Sequence, residues 1–260
     1  MLMGRRPGSY SNSPDTELSF QLMDLTARVL EGELMDAPDL AEEPHRRALS
    51  GLRRVNWWSR TGSVVARGIL QAVAISGFEM GRPLTILDLA CGGGDVTRDV
   101  GRALLSRGVD VRMEGWDRSA TAIQFAADSL LGTPLADKLV FRQRDVWDLG
   151  SESQFDIVMC TLFLHHLTRA EAVQVLTRMH AAARRLVLVD DLRRSQLGYQ
   201  LARLGCHLLS RSQIVHVDGP LSVRAAFTEA EICELSREAG LKEPELKRHW
   251  PERFLACWKR

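Results

Sequence analysis

The stretch Ile86-Leu87-Asp88-Leu89-Ala90-Cys91-Gly92-Gly93-Gly94-Asp95 decides how the chain is read. An apolar run of strand length ends in three glycines. A helical pattern starts at once, with Val96, Val100, Ala103 and Leu104 on one face. Glycine allows a sharp turn and a close approach of backbone to ligand. The first turn of the next helix offers unpaired N–H groups that suit a carboxylate or phosphate. Strand, glycine turn and helix in that order predict a ligand site at the carboxyl edge of a sheet.

The same rhythm continues downstream. Residues 84–89, 109–116, 139–141, 155–160 and 186–189 read as strands. Between them lie helical patterns, one closed by Gly108 and one carrying Ile123, Ala126, Ala127 and Leu130 and closed by Gly132. Thr168 and Glu171 form a capping box that opens a helix running to about residue 183. Strands apolar on both faces and separated by helices imply a parallel sheet covered on both sides. The ending differs. Thr228 and Glu231 open another helix, and then 241–247 and 254–258 read as two strands with no helix between them. A short turn forces such strands to be antiparallel. The expected fold is α/β: a doubly wound three-layer sandwich with a mostly parallel seven-stranded sheet, an antiparallel last strand and helical lid elements.

Residues 1–15 are polar and are expected to be disordered. Helical patterns are expected at about 16–35 and 45–60, separated by Ala37-Pro38-Asp39 and Glu42-Glu43-Pro44. A third is expected at about 62–76, with Gly77 as its stop. Residues 16–80 thus read as an N-terminal helical lid and 81–260 as the main domain. Residues 192–227 exceed an ordinary loop and read as a helical insertion over the ligand side. It carries Tyr199, His207, Arg211, His216 and Arg224 among Leu201, Leu204, Leu208 and Leu209.

The chain has 260 residues, 34 basic and 33 acidic, for a net charge of +1. That balance argues against a dedicated nucleic-acid binder. No apolar run approaches the roughly 18 residues that cross a bilayer, and the N-terminus lacks a signal-peptide core. The expected location is cytoplasmic, with no membrane partner. Cys91, Cys160, Cys206, Cys233 and Cys257 include no C-x-x-C pair, so no metal site and no disulfide framework is expected.

The glycine pattern is not that of a dinucleotide site, because Thr97 stands where the third glycine of G-x-G-x-x-G would fall. No G-K-[ST] phosphate loop is present. What remains, acidic-x-small-x-Gly-x-Gly, resembles the first motif of class I S-adenosylmethionine-dependent methyltransferases. Ala90 departs from it, standing where that family usually has glycine. The resemblance extends over about residues 84–190. It implies S-adenosyl-L-methionine as cofactor, with its amino-acid end held by Asp88 and the turn residues Ala90, Cys91, Gly92 and Gly94. Asp117, ending the second strand, is implied to hold the ribose, with Arg118 beside it. Asp145 is implied to meet the adenine, with Val146 next in the chain. The fourth motif begins at Cys160 and runs into His165-His166, beside the transferred methyl.

Other readings stand beside these. Asp88 also suits a helix cap, Asp117 a loop carboxylate and Asp145 a turn. Asp190 and Asp191 suit either the site or a cap. Trp57 and Trp58 read as core or staple residues before substrate platforms. Cys91 is assigned no chemistry. Histidine titrates near neutral pH and suits a general base for a weak acid such as a phenol, so His165 and His166 are the catalytic candidates. Neighbours on a turn alternate in direction, and one of the pair is expected to be structural.

Within the family the chain is most similar to small bacterial methyltransferases of the quinone-biosynthesis type. That implies O-methylation of a small phenolic or polyketide-like acceptor, with C- and N-methylation open. A homodimer is compatible with this reading. The alternatives are a non-catalytic cofactor-binding scaffold, a methyltransferase acting on a macromolecule and, weakest, a nicotinamide oxidoreductase.

Overall fold

One sheet of seven strands runs in the order β3-β2-β1-β4-β5-β7-β6. It comes from a computed structural model that describes residues 23–37, 39–75, 81–150, 152 and 154–260. The strands are β1 (Leu84–Leu89), β2 (Val111–Asp117), β3 (Leu139–Gln143), β4 (Phe155–Thr161), β5 (Ala183–Leu192), β6 (Glu245–His249) and β7 (Arg253–Lys259). The pairs β1–β2, β1–β4, β2–β3 and β4–β5 are parallel. Strand β7 lies antiparallel between β5 and β6. The hairpin expected from 241–258 therefore forms, and its last strand enters the sheet interior.

Alternation along the strands builds two cores. Leu87, Leu89, Val158, Cys160, Val187 and Val189 face one side. There they pack under α5 (Arg169–Ala182) and α8 (Glu229–Glu238). Leu84, Ile86, Ile157, Met159, Leu186 and Leu188 face the other side. There they meet α2 (Thr61–Ile75), α3 (Asp95–Leu105) and α4 (Ala120–Asp128). Most of these side chains are wholly buried, each contributing roughly 1.5–3 kcal/mol. Both capping boxes form: Thr168 with Glu171, and Thr228 with Glu231. The insertion is a helix pair, α6 (Gln196–Leu209) and α7 (Gln213–Ala225). Leu204 and Leu208 of α6 point to solvent.

The N-terminal part departs from expectation. Residues 23–33 are not helical; they run as an irregular strap that ends in a 3-10 turn at Leu34–Asp36. The strap's polar groups are satisfied by distant partners instead of by its own turns. Val29 donates its N–H to the Arg224 carbonyl. Arg194 and Gln196 donate to the carbonyls of Leu25 and Met23. Leu34 and Met35 donate to the two oxygens of Asp218. Tertiary bonding overrides the local periodicity here. Helix α1 (Glu42–Ser59) starts on the acidic segment expected to be a break. Glu42 and Glu43 favour a helix N-terminus, and Pro44, within the first turn, gives up an N–H that has no partner there in any case. The expected disordered segment 1–15, the first part of the expected helix at 16–22 and the stop at Gly77 lie outside the described residues. Among the described residues no helix is long and apolar enough to cross a membrane.

Candidate active site

The turn after β1 is built on left-handed backbone. Ala90, Gly92 and Gly94 take φ of 54°, 53° and 68°. The two glycines serve different ends. A Cβ at Gly94 would lie 2.3 Å from the Phe141 ring, so packing requires that glycine. A Cβ at Gly92 would meet nothing within 4 Å. Ala90 holds its strained conformation without glycine's freedom.

This turn forms one wall of a cavity of about 1000 Å³. Ala90, Cys91, Gly92, Gly93 and Asp95 line it, as do Asp117 and Arg118 from the end of β2, Asp145 and Val146 after β3, and Thr161, Leu162, Phe163, His165 and His166 after β4. Its roof comes from the strap (Glu33, Met35, Asp36), from α1 (His45, Leu49, Leu52, Asn56) and from the α6–α7 pair (Leu201, Cys206, Ser222). The tip of the β6–β7 hairpin adds Pro251, Glu252 and Arg253.

The sheet brings most of the expected residues to this edge. Asp117 accepts N–H bonds from Gly92 and Ser119, both at 2.8 Å, and so ties the glycine turn to β2. Burial raises its pKa against those two bonds. Asp145 accepts from Trp147 N–H and caps a short 3-10 turn while lining the cavity. Arg118 donates to Asp36 at 2.8 Å, joining the end of β2 to the strap.

Three expected contacts are not on the cavity wall. Asp88 is fully buried behind the turn. Its Oδ2 accepts from Thr97 Oγ1 at 2.6 Å, and its Oδ1 has no partner. Burial raises its carboxyl to about 7. Cys160 is sealed in the sheet, and the following Thr161–Phe163 face the cavity instead. Gly94 is occupied by its packing on Phe141. Trp57 is not a core residue, being 74% exposed, while Trp58 sits at the cavity edge against Trp250.

The two histidines both reach the cavity, with ring centroids 4.3 Å apart. His165 Nδ1 lies 2.6 Å from Asp191 Oδ1, and its backbone N–H also donates to that carboxylate. His166 Nδ1 lies 3.0 Å from Asp36. Burial alone would lower the His166 pKa, but the Asp36 bond and the charges of Glu33, Asp36 and Asp191 outweigh it and lift the ring to about 9. Burial would raise Asp191, but the charge and hydrogen bond of His165 keep it below its usual range. Asp190, next in β5, bonds His249 Nε2 at 2.5 Å and approaches Arg253.

Several lining groups were not among the expected ones. Glu33 reaches within 3.7 Å of His165 Nε2; it was hidden inside an expected helix. Asp95 closes the quoted motif, and Asn56 donates to it at 3.1 Å. Arg253 is buried, donates to Thr61 and Asn56, and leaves its Nε without a partner. The signal for Asp95 lay in its place at a helix start; for Glu33 and Arg253 there was none.

Comparisons with known proteins agree with this architecture. Residues 86–185 match a family model described as a methyltransferase domain. A search of curated proteins finds no match. Among solved structures, magnesium protoporphyrin IX methyltransferase from Synechocystis PCC 6803, with bound SAH, is similar at 17% identity and a TM-score of 0.53. The match covers 79% of this chain and 87% of that one. Human N-acetylserotonin methyltransferase, in complex with SAM, is similar at 17% identity and a TM-score of 0.56, covering 85% and 56%. The CurJ carbon methyltransferase is similar at 12% identity and a TM-score of 0.56, covering 76% and 53%. Residues 86–185 of this chain therefore match the model of a methyltransferase domain, and the chain shares the fold of these solved methyltransferases.

Proposed function

We propose that the protein transfers a methyl group from S-adenosyl-L-methionine to a hydroxyl of a small phenolic or polyketide-like acceptor. The observation that carries this reading is the His165–Asp191 pair, facing the cavity that also holds the glycine turn and Asp117. The residues present fit such a cofactor. Gly92 leaves its side of the turn open, so a ligand would approach the backbone there. Asp117 offers oxygens to ribose hydroxyls, and Asp145 lies beside the same wall. Asp95 and Arg253 suit the ammonium and carboxylate of the amino-acid end, and Arg253 Nε is free to donate. Asp88 supports the turn from behind through Thr97.

When bound, the cofactor would supply an activated methyl to the acceptor oxygen, with its sulfur keeping the electron pair of the carbon–sulfur bond. The chain's task is to position, to exclude water and to take a proton. Asp191 fixes the His165 ring with Nε2 toward the cavity, ready to accept the acceptor's hydroxyl proton. The strap and the α6–α7 pair cover that end. Such a cover keeps water from competing with a weak nucleophile.

Calorimetric titration with S-adenosylhomocysteine tests the cofactor, with NAD and Asp117→Ala as controls. Micromolar binding that weakens tenfold or more in the variant, a loss of at least about 1.4 kcal/mol, supports the reading. No binding to the folded wild type sinks it. Labelled methyl transfer to phenols, carboxylic acids and amines then ranks the acceptor atoms; transfer to amines alone would overturn O-methylation.

A further inference from the structure

Both histidines at the end of β4 are held in the same way, and a single general base does not need that. Each ring offers Nδ1 to a carboxylate: His165 to Asp191 at 2.6 Å and His166 to Asp36 at 3.0 Å. Each then turns Nε2 toward Glu33. His165 Nε2 lies 3.7 Å from Glu33 Oε1, and His166 Nε2 lies 3.9 Å from Oε2. One donor atom from each of the three residues lies within 4.8 Å of the others.

We propose that Glu33, His165 and His166 bind a first-row divalent metal ion, with zinc as the representative, and that the ion grips the acceptor's oxygen. The metal-binding half stands on this geometry alone. The acceptor half rests on the methyltransferase reading above.

Metal-bound histidines typically pass their second ring nitrogen to a carboxylate, which sets the tautomer and aims the ligand lone pair. That arrangement occurs twice here. With metal–ligand bonds of about 2.1 Å, tetrahedral ligand atoms sit roughly 3.4 Å apart. The two distances to Glu33, 3.7 and 3.9 Å, exceed that value by a few tenths of an ångström. Two imidazoles and a carboxylate select zinc, iron, cobalt or manganese over magnesium or calcium, which favour all-oxygen sites. Three protein ligands leave a coordination position open, as catalytic sites do. The cavity lies on that side.

The surrounding charge also favours a cation. Glu33, Asp36 and Asp191 converge on the two rings. Of the nearby arginines, Arg118 binds Asp36 and Arg28 is committed to backbone carbonyls. Glu33 itself is held by Ser222 Oγ at 2.5 Å, so the ligand atom comes from an anchored side chain. With the ion in place His165 Nε2 would be a ligand and not the base, and an acceptor hydroxyl bound to the ion would lose its proton to solvent water as it enters, before the site is covered. The O–H bond breaks, and its electron pair stays on the oxygen facing the transferable methyl. The same ion would pin the strap to the end of β4, because its ligands come from both.

The test uses the full chain, stripped with EDTA and dialysed. Zinc chloride is titrated by calorimetry, and cobalt(II) is followed by its visible absorption. The expected result is one ion per chain with micromolar or tighter affinity, weakened at least tenfold in both Glu33→Gln and His166→Asn. Loss of stoichiometric binding in the wild type, or binding that neither variant weakens, overturns the site. Either variant suffices if the other fails to fold. S-adenosylhomocysteine affinity, measured on the same stripped samples, reports folding and the methyltransferase reading separately. Methyl transfer to catechol should fall at least tenfold on stripping and return with zinc. Unchanged transfer in a protein that binds zinc overturns the acceptor half and leaves His165 as a plain base.

Discussion

Arg28 is bound to the backbone of His165: its Nη2 donates to the His165 carbonyl at 2.8 Å and to that of Leu167 at 2.6 Å. Its Nε donates to the Ala225 carbonyl, and its guanidinium lies 3.9 Å from the Phe227 ring centroid. One strap side chain thus joins the end of β4 to the end of α7. Arg28→Met keeps much of the stem and removes three donations to partly buried carbonyls. The expected cost is about 1–3 kcal/mol, seen as a lower denaturation midpoint. The region around residues 23–40 should also become more open to limited proteolysis. An unchanged midpoint and cleavage pattern would show that the strap is held elsewhere.

Asp191 acts through His165 and is a positioning residue. Asp191→Asn keeps its size and removes the charge that orients the ring. Turnover at saturating cofactor should fall by about 10- to 100-fold, as for other groups that orient an active imidazole. S-adenosylhomocysteine affinity should stay within about twofold, since Asp191 lies off the cofactor's wall. Equal losses in both measurements would point to a structural role.

The two glycines of the turn make a paired test. Gly94→Ala puts a methyl into Phe141 at a positive φ. Overpacking and left-handed strain together should cost about 2–4 kcal/mol. Gly92→Ala meets only space, so its cost should be about 1–2 kcal/mol from conformation alone, while cofactor affinity drops at least tenfold. Chemical denaturation and calorimetry separate the two. The reverse ranking would place the ligand on the other side of the turn.

Far from the site, Asp156 is fully buried and bonded by Arg82 at 2.6 and 2.7 Å and by Thr85 at 2.9 Å. Burial would raise its pKa, but these bonds outweigh it and bring the carboxyl down to about 2. A carboxylate depressed on folding stabilises the native state above its unfolded pKa, near 4. That stability is lost as pH falls from about 4 through 2. With Arg82 partly in solvent, the effect should be about 1–2 kcal/mol. Asp156→Asn should flatten the acid limb of the stability curve over that interval; an unchanged slope would assign acid sensitivity to other carboxylates.

The strands were legible because burial on both faces leaves runs such as 84–89 and 186–189 with little polar interruption. The capping boxes were legible because their pattern is local. What sequence could not show was set by distant contacts. Residues 23–35 carry a helical pattern, yet Val29 bonds to Arg224, and Leu34 and Met35 bond to Asp218, so Glu33 was placed on the wrong kind of element. Asp190 and Asp191 were indistinguishable as letters. Their adjacency on β5 sends them to opposite faces, one to His249 and the other to His165. Asp88 and Cys160 lie in the right motifs, but depth within the sheet is not written in a motif.

Strand β7 has a consequence for how the molecule is made. It fills the gap between β5 and β6 and brings Arg253 to the cavity, yet it comes from residues 253–259. A nascent chain emerging from the ribosome can assemble β1 to β5 and their helices while that gap stays open. The apolar strand edge at β5 is then exposed until residue 259 clears the exit tunnel. During synthesis this interval is the one most open to aggregation, and to chaperone capture at the unpaired edge of β5.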